Sequence, residues 1–113
     1  MRSMSLMPIN ITIEKPRQVY IPNAFSPNGD GQNDRFQIYA GKEVESILYF
    51  RIYDRWGELV FEKVNFPPND PVYGWDGSFK RKNMNNSVFV YIAELQFLDG
   101  VRTLYKGDVT IMK

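Results

Sequence analysis

The chain contains no cysteine and no histidine among its 113 residues. Without cysteine it has no disulfide, no thiol nucleophile and no zinc–thiolate site, and without histidine it lacks the commonest general base of enzymes. These two absences exclude most familiar catalytic arrangements. They do not fix the compartment, because proteins without crosslinks occur both in a reducing cytosol and outside the cell.

An excess of charge of one sign is also missing, since 14 Lys and Arg residues face 13 Asp and Glu residues. A net charge of +1 gives no field that would attract the phosphate backbone of a nucleic acid. No apolar run reaches the length of a membrane span, and residues 1–13 lack the apolar core of a signal peptide. The sequence therefore predicts no nucleic-acid partner, no transmembrane segment and no export signal at its start.

The composition is nevertheless that of a folded domain. A hydrophobic content of 43%, with 15% aromatic residues, is too high for a disordered tail. The length suits one domain, which buries about two thirds of the surface that its unfolded chain exposes. Residues 10–14 alternate like a strand, and Lys15-Pro16-Arg17-Gln18 follows with the composition of a linker. We interpret residues 1–16 as a tail or the end of a preceding module, and residues 17–113 as the domain.

The apolar residues of this domain recur with a period of two, which is typical of strands. One face of residues 87–98 carries Phe89, Tyr91, Ala93, Leu95 and Phe97. An earlier segment alternates Leu48, Phe50 and Ile52 with Tyr49, Arg51 and Tyr53. Asp54-Arg55-Trp56-Gly57 and the two-residue turn Asp99-Gly100 predict two hairpins. About seven strands without a helical stripe indicate an all-β fold, an immunoglobulin-like antiparallel β-sandwich.

A loop rich in Pro, Gly, Asn and Asp, at residues 21–34, separates two of the predicted strands. Its oxygen-bearing side chains favour either of two interpretations. They form Asx-turns that rigidify the loop, or four of them bind calcium: Asn28, Asp30, Gln32 and Asp34. The match to a calcium loop is partial, because Ser26 and Gln37 stand where the first and last carboxylates belong. A bound calcium ion would order the fold and would not perform chemistry.

The two tryptophans lie in predicted turns, Trp56 before Gly57 and Trp75 between Gly74 and Gly77. Each either stacks on a sugar or peptide, or plugs the open edge of the sandwich, and we favour the plug for both. A hydrolase would need a pair of carboxylates such as Asp54 and Asp76 facing one cleft. Turn capping explains both acids, so we predict that the protein is not an enzyme.

Several of these motifs also occur together in one known family. They are the block from Pro22 to Gly31, Asn33-Asp34 with Phe36, the block from Ile52 to Phe61, Gly74-Trp75-Asp76-Gly77, Val90-Tyr91, and the closing block from Lys106 to Ile111. In this order, over residues 19–113, they resemble the gliding-motility-associated C-terminal domain. That family is the type B sorting domain of the type IX secretion system of Bacteroidota.

The resemblance implies a targeting module at the C-terminus of a large secreted adhesin or surface protein. The secretion machinery would recognise the folded domain in the periplasm and move its cargo across the outer membrane to the surface or the medium. Type B domains are associated with a dedicated outer-membrane partner barrel. We expect no small-molecule substrate and no cofactor, apart from the calcium ion of the second interpretation of the loop. The residues expected to carry recognition, or to shape the motifs, are Asn28, Asp30, Asp34, Arg55, Trp56, Trp75 and Asp76.

Two further hypotheses concern how the domain meets other molecules. A partner strand could pair with the last strand beside residues 107–112, unless that strand is already paired on both sides. The alternative function is a carbohydrate- or protein-binding β-sandwich module of a surface adhesin. Its stacking platforms would be the two tryptophans with Tyr49 and Tyr53.

Overall fold

A computed structural model describes residues 18–27, 29, 34–79, 82–83 and 87–112. Its strands are β1 (Val19–Tyr20), β2 (Ala24–Phe25), β3 (Tyr39–Ala40), β4 (Val44–Tyr53), β5 (Leu59–Phe66), β6 (Ser78–Phe79), β7 (Lys82–Asn83), β8 (Val88–Phe97) and β9 (Arg102–Ile111). The helical content of these ranges is a single 3-10 turn, Pro71–Tyr73, so no helix there is long and apolar enough to cross a membrane. The predicted strand at residues 10–14 and the boundary near residue 17 lie outside the described residues.

The main sheet has five strands in the order β2-β9-β8-β4-β5. Strand β8 lies at its centre and pairs antiparallel with β4 on one side and with β9 on the other. Its inward face is the predicted one, and all five of its members are buried: Phe89, Tyr91, Ala93, Leu95 and Phe97. The strict alternation of this strand therefore positions the centre of the core.

A second layer of short elements covers the inward face of the main sheet. It consists of the β1–β3 pair, the β6–β7 pair and an isolated bridge between Phe36 and Trp75. The core between the layers is aromatic, with Phe25, Phe36, Phe50, Phe66, Trp75, Phe89 and Phe97 all buried. The predicted all-β sandwich is confirmed.

Two details of strand pairing differ from the expected arrangement. Ala24–Phe25 pairs parallel with the end of β9, whereas the other pairs of the described main sheet are antiparallel. Pro22 and Pro27 flank this strand, and Pro27 has no N–H with which to continue the pairing beyond Phe25. Two-residue strands of this kind raise the number in the described chain to nine, above the seven expected.

Two further predictions are wrong, namely that Leu48 lies on the inward face of β4 and that a two-residue turn follows β8. Ile47 pairs with Leu95 and Tyr49 with Glu94, so Leu48 is the extra residue of a bulge. Ile47 is therefore buried in the core, and Leu48 is only partly buried. The second hairpin has a three-residue loop, because the N–H of Phe97 bonds the carbonyl of Val101 at 2.8 Å, and Gly100 has φ +87°.

Candidate functional site

The strand register brings most of the sequence motifs to one end of the main sheet. Tyr53 at the end of β4 pairs with Val90 near the start of β8, and Val88 pairs with Thr110 near the end of β9. Thr110 in turn lies beside Ala24 of β2. Residues 26–27 and 54–58 leave these strand ends, and the turn at residues 74–78 packs beside them, because Gly77 lies next to Pro27, Phe25 and Ile111. Together with residues 29 and 34–35, we call these residues the motif end of the sandwich.

Trp75 is the core residue of the motif end and is only 1% exposed. Its ring centroid lies 5.0 Å from that of Phe89 and 5.7 Å from that of Phe25. Its indole Nε1 donates a hydrogen bond of 2.8 Å to the carbonyl of Ser78, so the polar edge is satisfied where the ring is buried. The plug interpretation of Trp75 is thus the one that the structure shows.

Backbone geometry explains the two glycines around Trp75. The N–H of Trp75 donates to the carbonyl of Phe36 at 3.0 Å, and the N–H of Phe36 donates to the carbonyl of Trp75 at 2.8 Å, which draws the two segments together. A Cβ atom on Gly74 would lie 3.1 Å from the carbonyl oxygen of Phe36, closer than side chains normally approach. Gly77 has φ +85° and lies against Pro27 and Ile111, so the turn packs on the last strand.

Asp76 holds the same turn by accepting hydrogen bonds. Its Oδ1 accepts from the N–H of Ser78 at 3.0 Å and from the hydroxyl of Ser78 at 2.6 Å. The hydroxyl of Ser78 lowers the pKa of Asp76 most strongly, burial opposes the shift, and Arg35 adds a smaller attraction. Ser78 is a structural residue that we did not single out from the sequence, although Asp-Gly-Ser is a frequent Asx-turn signal.

The loop before Phe36 is described only in part. Asp34 Oδ1 accepts a hydrogen bond of 2.9 Å from the N–H of Gly29, five residues earlier in the chain. Asn28, Asp30 and Gln32 lie outside the described residues, so the calcium site stays a prediction. Among the residues that are described, no three Asp, Glu, His or Cys side chains form a group suited to a metal ion.

The turn between β4 and β5 is fixed by one carboxylate. Asp54 Oδ1 accepts hydrogen bonds of 2.9 Å from the N–H groups of both Trp56 and Glu58. The backbone of Asp54 adds two bonds, to Gly57 at 3.0 Å and to Glu58 at 2.9 Å, and Gly57 takes φ +85°. These four bonds favour the turn conformation that the structure shows.

Trp56 projects from this turn and is 83% exposed. The plug interpretation is therefore wrong for Trp56, because the residue lies beyond the last paired residues of the hairpin, Tyr53 and Leu59. The guanidinium carbon of Arg55 lies 5.7 Å from the centroid of its ring. Tryptophan and arginine are the side chains that most often dominate the energy of protein interfaces. Arg55 and Trp56 are the contact candidates of the motif end.

The predicted site residues thus divide into two groups within the described chain. Trp75, Asp76 and Asp34 hold local structure, and Arg55 and Trp56 are displayed to solvent. Asp54 and Asp76 each accept hydrogen bonds from the backbone of their own turn, as the turn-capping interpretation predicted.

The fold and the motif end define an all-β module that displays an exposed arginine–tryptophan tip, while the other predicted site residues that the structure describes are engaged in local structure. The family model of the CHU_C type IX secretion signal domain matches residues 19–111. The chain belongs to this family of type IX secretion signal domains, as the sequence motifs predicted. Membership implies export, with a secreted or cell-surface destination. The comparison with curated proteins gave no match.

Proposed function

We propose that this domain directs an attached cargo protein across the outer membrane by binding the type IX machinery, or an outer-membrane barrel partner, through its motif end. The observation that carries the proposal is the exposed and preorganised Arg55–Trp56 tip in a member of a secretion signal family. On this proposal the cargo passes through the periplasm, and the domain binds without turning over a substrate.

The physical argument for the tip is its low ordering cost. Association loses free energy when flexible side chains and loops must be ordered, so a turn that is already fixed retains more of its contact energy. Asp54 supplies that order through its two bonds to backbone N–H groups. A partner pocket with apolar walls and an acidic rim would accept the indole of Trp56 and pair with the guanidinium of Arg55.

The residues behind the tip have a different part in the proposal. Trp75 and Asp76 fix the turn that packs against β2 and β9. Their replacement would impair recognition by unfolding the motif end, whereas replacement of Arg55 or Trp56 would remove contacts from a folded domain.

A secretion assay tests the proposal. Residues 17–113 are fused behind a signal peptide and a fluorescent reporter in a host with a type IX system and in a matched host without one. We expect reporter in the medium or on the surface only when the system is present. Reporter retained in the periplasm of both hosts, with the domain folded and its barrel partner co-expressed, would overturn the proposal.

Variants then locate the contact. Arg55→Ala and Trp56→Ala should reduce export severalfold without loss of thermal stability. Leu98→Ala is a matched control, because Leu98 is also exposed in a hairpin loop, at the opposite end of the sheet. Equal export by all three variants would remove the tip from the proposal while leaving the secretion role intact.

The exposure of Trp56 also favours a second candidate, the carbohydrate-binding module. An exposed indole is a suitable platform for a sugar ring, and Trp75 is not available for this role because it is buried. Pull-down on soluble glycans, with Trp56→Ala as the control, tests it. Glycan binding that needs Trp56, in a domain that is not exported, would favour this function over secretion.

A further inference from the structure

The last strand, β9, is paired unequally on its two sides. Strand β8 pairs with it from Arg102 to Thr110, but on the other side β2 reaches only Thr110 and Ile111. The predicted site for strand addition, residues 107–112, is therefore covered at its end. Alongside residues 102–108, no strand of the described chain pairs with the outer side of β9.

The direction of the free backbone groups follows from the bonds at the covered end. The N–H groups of Thr110 and Met112 bond the carbonyls of Asn23 and Phe25, both at 2.9 Å, so these even-numbered residues point outward. Alternate residues of a strand direct their N–H and carbonyl groups to the same side. The outward groups of the open segment therefore belong to Arg102, Leu104, Lys106 and Asp108.

The other edge of the sheet, β5, is less suited to pairing. It carries a register shift opposite Ile52 and Tyr53, and Asn65 has φ +53°, which interrupts a regular ladder. Strand β9 keeps an unbroken register with β8 from Arg102 to Thr110 and contains no proline. It is the more regular template for an added strand.

We infer that the open edge of β9 pairs antiparallel with the same edge of a second copy of this chain. Arg102 of each copy lies opposite Asp108 of the other, and Leu104 lies opposite Lys106. The main sheets of the two copies then become continuous. This interaction is independent of the secretion role, and either can be present without the other.

Length and charge select the same register. The open segment is centred on Tyr105, and only the arrangement with a two-fold axis at this residue pairs both open segments over their whole length. Residues whose N–H and carbonyl groups point outward must lie opposite one another for the two strands to bond. The two nearest alternative registers therefore shift one strand by two residues in either direction. One places Arg102 opposite Lys106, and the other places Lys106 opposite Lys106, both of which bring like charges together.

Lys106 is the residue that would oppose this pairing, because lysines on edge strands commonly prevent association. In the inferred register it lies opposite Leu104, whose side chain is 51% exposed. The methylene groups of the lysine can cover this apolar surface while the ammonium group stays in water. The paired arrangement therefore accommodates Lys106.

Single-cysteine variants of the whole chain test the register directly. The sequence has no cysteine, so any disulfide formed by a single-cysteine variant joins two copies. Tyr105 residues of the two copies would face each other as a non-hydrogen-bonded pair with Cα atoms about 4.5 Å apart, within the range for a disulfide. The Thr103 residues would lie about 13 Å apart along the strands.

We expect a covalent dimer from Tyr105→Cys under mild oxidation and a monomer from the control Thr103→Cys. Efficient crosslinking of Thr103→Cys, or of neither variant while both are folded by circular dichroism, would overturn the inferred pairing. A folded domain that stays monomeric and captures only an extended peptide would show that the occupant is another polypeptide.

A charge swap provides a second test that does not depend on Tyr105, which packs against the core. Sedimentation equilibrium should show dimerisation weakened about tenfold by Arg102→Asp or by Asp108→Arg alone. The double variant restores the opposite charges only if residues 102 and 108 face each other, and it should recover the original affinity. Single and double variants that associate equally would contradict the register.

Discussion

Tyr91 lies across Gly107 on the neighbouring strand, so closely that a Cβ atom on Gly107 would be 2.8 Å from the hydroxyl oxygen of Tyr91 and 3.0 Å from Cζ. The two residues are cross-strand partners in the register of β8 and β9. The ring of Tyr91 thus covers the position where a glycine would otherwise leave a gap in the sheet. Burial, together with the nearby charge of Asp108, raises the pKa of the Tyr91 hydroxyl.

Gly107→Ala should destabilise the domain by about 1–3 kcal/mol, because the added methyl group overlaps the ring of Tyr91. Without such a clash, the same substitution would stabilise the fold through the unfolded state. Urea unfolding measures the difference. Tyr91→Phe removes the closest atom, so the double variant should recover part of the loss, and a more stable Gly107→Ala protein would contradict this contact.

The two tryptophans should respond oppositely to replacement. Trp75→Ala removes a buried ring and should cost about 3–5 kcal/mol, whereas Trp56→Ala should change stability by less than about 0.5 kcal/mol. With only two tryptophans in the chain, each Phe variant isolates the fluorescence of the other. Trp56→Phe should leave blue-shifted emission protected from acrylamide, and Trp75→Phe should leave emission that acrylamide quenches. The reverse pattern would refute the placement of both rings.

The stability of the domain should fall in acid partly through Asp76. The folded state holds the pKa of Asp76 below its ordinary value of 3.8, chiefly through the Ser78 hydroxyl. A lowered pKa means that the unfolded state binds the proton more readily, so the contribution is present above pH 3.8 and is lost as pH falls below it.

Urea unfolding between pH 6 and about pH 2.5 measures this contribution. Asp76→Asn keeps an acceptor oxygen but cannot ionise, so the variant should lose less stability across this range than the parent. The difference should be below about 1 kcal/mol, because the carboxylate is well exposed to solvent. Identical slopes for the two proteins would show that Asp76 does not contribute.

Asp54→Ala should loosen the tip without altering Arg55 or Trp56. The loss of two hydrogen bonds to turn N–H groups should cost about 1 kcal/mol of stability. If preorganisation matters, export in the secretion assay should also fall, although both contact side chains are intact. Asp70→Ala is a matched control, because Asp70 caps the 3-10 turn through the N–H of Val72. Normal export by Asp54→Ala would indicate that the order of the turn is not required.

Replacing Asp34 distinguishes the two interpretations of its loop, a network of turn hydrogen bonds and a calcium site. Asp34→Ala should lower stability by about 1 kcal/mol through loss of the bond from Gly29, with or without calcium. Thermal unfolding in millimolar calcium and in chelator provides the comparison. A calcium-dependent rise in melting temperature that Asp34→Ala abolishes would establish the ion instead.

The local sequence pattern was sufficient to predict the strands whose pairing partners are close in sequence. The alternation in β8 predicted its buried face residue by residue, and Asp-Arg-Trp-Gly predicted the first hairpin. Local pattern did not predict which tryptophan is buried and which is exposed, since Trp56 and Trp75 both occur in turn motifs that contain glycine and aspartate. What separates them is the bridge from Trp75 to Phe36, a contact between segments that are distant in sequence.

The parallel pairing of β2 with β9 escaped prediction for the same reason. Ala24–Phe25 is too short to carry a periodic signal, and its partner lies near the other end of the sequence. The bulge at Leu48 was not predicted either. An extra residue in a strand reverses which of the residues before it face the core, and the composition of the strand gives no sign of this change.

The position of β9 within the sheet has a consequence for biosynthesis. Val109 and Ile111 are fully buried, and Thr110 and Ile111 also bind the first strand of the main sheet in place. A nascent chain interrupted before these residues lacks both core side chains and the partner of β2, so it cannot complete the sandwich. The domain can therefore reach its folded shape only after residue 111 has been translated.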